Sequence, residues 1–229
     1  MTAHRTLLRC VTPLLLMSIA FTAAAQSAAK PPADLDATSR ARLPYLQRKD
    51  VSDEAGQQVF DIFDRSPGRS PDDSLSGPLA FATYNAAVAK ALLDLHNGAV
   101  DKGTLNAHVR ELAILVACRE TNYNLEWNAH EPAAVKAGVD QKVIDAVRNN
   151  GALAGLGEQD AAVIRFGVQL LRDRHVDSAA FAKAVELFGQ HGAMDLVAVM
   201  STYAVSGFYA IAVDEHMPAG QPSLERTAR

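Results

Sequence analysis

The chain has 229 residues, 48% of them hydrophobic, with 22 lysines and arginines against 26 aspartates and glutamates for a formal net charge of −4. This acidic balance argues against nucleic acid or an anionic membrane surface as a partner, and the length suits one well-buried core with an irregular N-terminal arm. Of the two cysteines, Cys10 falls in a leader and Cys118 stands alone, so neither an internal disulfide nor dithiol chemistry within one chain is expected.

Residues 1–25 read as a secretory signal peptide. His4, Arg5 and Arg9 come first, the apolar run Val11 to Phe21 follows, and Ala23-Ala24-Ala25 places the cut after Ala25. Its removal takes away two arginines and no acid, which brings the net charge near −6. The run is shorter than the ~20 residues a membrane span needs, and no later stretch reaches that length without a charge, so no span is expected. A periplasmic or secreted destination follows. Residues 26–42, with Pro31-Pro32 and mixed charge, read as a flexible leader.

Ser52 precedes the first helical pattern, in which Val59, Ile62 and Phe63 share a face. The Pro/Gly/Ser/Asp-rich stretch from Ser66 to Pro78 is predicted as a surface loop or a lid. Leu79 to Leu95 is rich in Ala and Leu without alternation, and Asn97-Gly98 is predicted to cap its end. Thr104 is the candidate N-cap for the next helix, which carries Glu111 and then Leu112 to Cys118, apolar all the way round. A further helix carries Glu126 and His130 and stops at Gly138. Asp140 caps the next one, with Val143, Ile144 and Val147 facing inward. After the turn Asn149 to Gly157, Ala161, Ile164, Val168 and Leu171 repeat at three and four residues. Asp177 or Ser178 starts a helix closed by Gly189, and the last runs from about Ala193 to Val213 with Leu196, Met200, Tyr203 and Gly207 on one stripe. No stretch has a period of two, so the fold class is all-α.

The chemistry concentrates in Arg110-Glu111 and in Tyr123-Asn-Leu-Glu126-Trp127-Asn-Ala-His130. Glu126 and His130 are four apart, on one helix face and close enough to share a proton. His130 exchanges protons near neutral pH; Glu111 and Glu126 do so once burial or mutual repulsion lifts a carboxyl pKa. Two carboxylates flanking one imidazole make a relay in which one acid orients the ring and the other meets the substrate. Against this stands an ordinary surface pair of Glu126 and His130, with Glu111 paired to Arg110. Two carboxylates and an imidazole can also form a facial metal-ligand set, but there is no HExxH and no second clustered histidine, so no metal is expected. Cys118 reads as core packing, Trp127 as a pocket wall or a plain core aromatic, and Tyr203 and Tyr209 as ordinary core-to-surface residues.

The order Arg110-Glu111, apolar helix, Tyr123-x-x-Glu126-Trp127-x-x-His130, then Ala137-Gly138-Val139, resembles the carboxymuconolactone decarboxylase and alkylhydroperoxidase D-like superfamily. The likeness is strongest over residues 79–150. It extends more loosely over residues 43–218, which it implies to be one compact all-α helical bundle, with residues 219–229 a flexible tail. In the peroxidase branch the motif is Cys-x-x-Cys-x-x-x-His with a glutamate on the preceding helix. By resemblance that glutamate falls on Glu111 and that histidine on His130, while the cysteine positions fall on Tyr123 and Glu126. Thiol peroxidase cycling therefore has no sulfur to use. The resemblance leans toward the lactone decarboxylase side. It implies cofactor-independent acid/base chemistry on a small carboxylated or lactone compound, with Glu111, Glu126 and His130 catalytic and Tyr123, Trp127 and Arg110 lining the substrate, Arg119 being a second candidate for an anion. It also implies homo-oligomers, as trimers or hexamers. The competing reading is a non-catalytic helical oligomer that binds a small molecule or serves as a scaffold.

Overall fold

The computed structural model describes residues 32–63, 75–77 and 79–224. The expected signal peptide, most of the loop between Ser66 and Pro78 and the last five residues lie outside the described residues. From residue 33 onward the described chain belongs to one compact unit. Among the described residues there are seven α-helices and no strand, in keeping with the all-α expectation: α1 (Glu54–Phe63), α2 (Ala86–His96), α3 (Ala107–Glu120), α4 (Asn124–Lys136), α5 (Gln141–Arg148), α6 (Glu158–Val168) and α7 (Ser178–Ala212).

α3 is the centre because its sequence leaves no polar face between Leu112 and Cys118. All seven of those residues are buried, and α4, α5, α6 and α7 pack around the helix. Leu112, Ile114, Leu115 and Val116 each contribute about 1.5–3 kcal/mol of apolar burial, enough to hold α3 in the interior together with one polar group on its first turns. A smaller cluster built from Val59, Phe60, Leu79, Ala89 and Leu93 joins α1 to α2, and α2 also contacts α7.

Helix ends follow side-chain chemistry, though not always at the expected residue. Asp177 Oδ1 accepts from Ala180 N–H to open α7. Asn106, not Thr104, caps α3 by accepting from Val109 N–H; Thr104 instead gives its N–H and hydroxyl to Asp195 of α7. α2 ends at His96 with Asn97 as its C-cap residue, as expected, but the chain does not turn away at Gly98, because Asn97–Asp101 continue as a π-turn. Gly138 stops α4 at φ +87°, and Gly189 breaks α7 at φ +71°, so α7 is two helical segments in line with the separate helices read from sequence.

The second segment of α7 is long and apolar enough to cross a membrane by length and composition, Asp195 being its one charge. Half of that window is buried within the protein, where Leu196, Val199, Met200 and Tyr203 join the α3 core. The expected leader is also anchored in its last part. Ser39 and Ala41 are buried, Arg42 N–H donates to the Val213 carbonyl, and Arg40 accepts from His216 N–H. The start of the tail is pinned likewise, since Leu224 is buried and its N–H donates to Asn124 Oδ1. Hydrogen bonds to partners 100 or more residues away leave no signature in local composition, which is why both segments read as flexible.

Candidate functional site

Glu111 lies on the second turn of α3 and His130 on the second turn of α4, and the packing of these two helices brings their side chains together. His130 Nδ1 is 2.8 Å from Glu111 Oε2, and Nε2 is 3.3 Å from Glu126 Oε2. The carboxylates take opposite nitrogens of one ring. They do not converge with it on a common point, as a facial metal set would require. All three side chains are mostly enclosed, at 12%, 11% and 20% exposure for Glu111, Glu126 and His130.

Burial by itself would lower the His130 pKa, because it disfavours the charged ring. The hydrogen bonds to Glu111 and Glu126 and their negative charge outweigh it and raise the value from 6.5 to about 9. At neutral pH the ring is therefore an imidazolium with both nitrogens donating. A carboxylate as buried as Glu111 costs several kcal/mol when unpaired, so the ion pair offsets a penalty as well as orienting the ring.

Tyr203 of α7 completes the cluster and was not singled out from sequence. Its hydroxyl is 3.1 Å from His130 Nε2 and 3.5 Å from His96 Nε2, and its ring meets the imidazole edge-on at 5.0 Å between centroids. Burial and the nearby Glu126 hold the phenol well above its ordinary range, so it remains a neutral hydroxyl. Its position on the apolar stripe of the last helix was visible; its contact, 73 residues from His130, was not.

Three expected pocket residues are placed differently. Trp127 is turned into the core: its indole N–H donates to Glu131 Oε2 at 2.9 Å and the Arg148 guanidinium stacks 4.8 Å from its ring, so it is the core aromatic and not a wall of this site. One residue of helical rotation separates it from the Glu126–His130 face. Arg110 approaches Glu111, with Nε 3.7 Å from Oε1. Arg119 is buried and donates to Asn122 Oδ1 at 3.1 Å. Cys118 is fully buried, and burial with the nearby Glu126 pushes its thiol well above the ordinary range.

Tyr123 precedes the first turn of α4, one turn before Glu126. It borders a cavity of about 540 Å³ between residues 121–125, the end of α7 and residues 214–217. Glu111, Glu126 and His130 do not line this cavity; Glu126 lies one helical turn beyond its Tyr123 wall. Across from Tyr123 stands Glu215, whose Oε1 accepts from the Tyr45 hydroxyl at 3.1 Å. Burial raises the Glu215 carboxyl from 4.5 to about 7, against the opposing effect of the Tyr45 bond and Arg40.

No curated protein matched the chain. A family model described as "Carboxymuconolactone decarboxylase family" matches residues 86–168, from the first residue of α2 to the last of α6. Glu111, Tyr123, Glu126 and His130 lie inside that stretch, whereas Tyr203 and Glu215 lie beyond it, where the likeness offers no guide. The helical span that carries the Glu111–His130–Glu126 cluster thus matches the carboxymuconolactone decarboxylase family.

Proposed function

We propose that the protein is a cofactor-independent acid/base enzyme that moves a proton on a small carboxylated or lactone compound. We further propose that it is exported to the periplasm or secreted and works as a trimer or hexamer. One observation supports the chemistry above the others: a single imidazole, enclosed and bridged by two carboxylates from adjacent helices. A solvated i,i+4 pair does not need Glu111, and a peroxidase would need sulfur where Tyr123 and Glu126 stand.

The roles follow from which atoms are engaged. Glu111 holds Nδ1 and fixes the ring. Tyr203 shares the Nε2 proton and positions the ring from the α7 side. Glu126 meets the ring through Oε2, leaving Oε1 as the atom that can face a substrate. A carbanion developing next to a carbonyl, whether from loss of a proton or of carbon dioxide, places its charge on the carbonyl oxygen as an enolate. Where the carbanion arises by loss of a proton, Glu126 Oε1 is the base that takes it, exchanges it with solvent and returns a proton to the carbon. After loss of carbon dioxide the carbon's proton comes from His130 Nε2 by way of Glu126, and solvent restores it.

The test is deuterium uptake in heavy water at the carbon beside the carbonyl of small lactones, followed by NMR. The wild type is expected to catalyse exchange, with a rate that falls as pH rises through about 9, where His130 loses its proton. Glu111→Gln and His130→Gln are each expected to abolish exchange, a loss of ~100-fold or more, while remaining folded. Unfolding of both variants would assign the cluster a structural role instead.

A further inference from the structure

Three buried polar atoms of residues lining the cavity beside Tyr123 have no hydrogen-bond partner among the described residues: the Tyr123 hydroxyl, Glu215 Oε2 and His216 Nε2, the last lying 3.3 Å from Asp214 Oδ2. Tyr123 is 3% exposed. Neighbouring hydroxyls are satisfied within the fold. Thr121, Thr202 and Ser206, buried in the same region, each bond a backbone carbonyl one turn back. Two orphaned oxygens on one cavity therefore call for an occupant.

The walls also state the charge of that occupant. Arg42 is the one basic side chain with a permanent charge among the lining residues, and it is already committed to Asp34 at 3.1 Å and Asp214 at 3.6 Å. Asp214 and Glu215 line the cavity, and Glu126 is near enough to Glu215 to act on it electrostatically. An anion entering here would meet Asp214 and Glu215 on the walls, while Arg42 is committed to acids and His216 lies against Asp214. A volume of about 540 Å³ falls within the range of small-molecule sites.

We propose that this cavity binds a small uncharged molecule with a carbonyl or hydroxyl group, held between the Tyr123 hydroxyl and the Glu215 carboxyl. This narrows the acid/base reading from carboxylated compounds to neutral lactones and their hydroxylated relatives, and it rests on that reading only for what happens to the ligand after it binds. Tyr123 donates to the ligand's oxygen. Glu215 donates when protonated and accepts from a hydroxyl when ionised. The groups acting on Glu215 are Tyr45 and Arg40 from the N-terminal segment and Glu126 and Tyr123 from the start of α4, with Asp214 and His216 beside it in the chain. Burial holds this carboxyl near the middle of the physiological range, so a carbonyl ligand is bound better on the acidic side.

Saturation-transfer NMR on the full chain, with δ-valerolactone as the neutral probe and glutarate as the anionic one, tests the assignment. The lactone is expected to bind, and more tightly at pH 6 than at pH 8.5; glutarate is not. Tyr123→Phe is expected to weaken lactone binding about fivefold, the worth of one hydrogen bond. Glu215→Gln, which keeps a donor at every pH, is expected to bind lactone with no pH dependence. Equal binding of glutarate, or undiminished binding in a folded Tyr123→Phe protein, would overturn the proposal. His130→Gln separates the two claims. Lactone binding retained without isotope exchange supports the cavity whatever becomes of the relay, whereas loss of binding in folded His130→Gln protein would move the ligand to the relay and overturn the cavity assignment.

Discussion

At the scale of single residues, two side chains make stability depend on pH in the same direction and in adjoining windows. His130 titrates at about 9 when folded and near 6.5 when unfolded, so the folded state holds its proton longer. Its contribution is complete below about pH 6.5 and is lost as pH rises through about 9. Glu215 also has a raised folded pKa, about 7 against 4.5, but for an acid the sign means a penalty. Nothing is lost below about pH 4.5; above it the unfolded chain ionises first, and stability falls until about pH 7. Each effect is on the order of 1–3 kcal/mol. Urea denaturation across pH 4–10 is expected to show a continuous decline for the wild type. Glu215→Gln should flatten the part below pH 7 and be the more stable protein at pH 8. His130→Gln should flatten the part between about 6.5 and 9. A Glu215→Gln protein less stable than wild type at pH 8 would show that the ionised carboxylate is favoured where it lies. Cys118 gives the corresponding negative expectation: with its thiol buried and its pKa pushed up, peroxide consumption with a dithiol reductant should not exceed that of a Cys118→Ser control.

Among the elements, the approach of α7 to α3 and α6 depends on two glycines whose missing Cβ atoms have unequal neighbours. A Cβ at Gly207 would lie 2.5 Å from Thr121 Oγ1 and 2.7 Å from its Cβ, a rigid pair held by the Thr121 hydroxyl bond to the Ala117 carbonyl. At Gly167 the nearest atoms are Val116 Cγ1 at 2.5 Å and the Met200 methyl at 2.8 Å, and a methionine end can swing away. Gly207→Ala is therefore expected to lose ~1–3 kcal/mol, as overpacking typically does, and Gly167→Ala less; thermal unfolding of the pair measures the difference. The same contrast shows what sequence could and could not tell. Periodicity placed α3 in the core and gave the Glu126–His130 face, because both are properties of one helix. The Gly138 and Gly189 breaks were legible for the same reason. The Glu111 contact was open from the residues alone, which also allowed a pair with Arg110, and the likeness to known chains favoured it, since nothing local joins Glu111 to a residue 19 positions on. Tyr203 and Glu215 stayed hidden because they lie beyond the matched span, one on α7 and the other just after its end. Trp127 was misplaced because residue type says that a large aromatic is buried but not on which side of a helix.

For the whole molecule, the second segment of α7 raises a packing question that one copy of the chain does not answer. One face, with Leu196, Val199, Met200, Tyr203 and Gly207, is buried against the core. The opposite stripe carries Met194, Val205, Phe208 and Ala212, and Met194 and Phe208 are 50% and 58% exposed, with Ile211 on its flank at 54%. A helix apolar on both faces belongs inside a larger assembly or in a bilayer. Its inner face is committed to α3 and α6, which carry the core of the bundle, so insertion of α7 alone would expose that core. A second copy of the chain fits both facts, and it agrees with the proposed trimer or hexamer. Sedimentation of the mature protein is expected to give three or six times the monomer mass, and Phe208→Glu to reduce it to the monomer with unchanged helicity. The substitution places a charge on the stripe without touching Tyr203 or Gly207, so loss of assembly with the relay intact would locate the interface. A wild type that sediments as a monomer would leave the stripe without a homotypic role. A Phe208→Glu protein still fully assembled would send the interface to another face of the bundle.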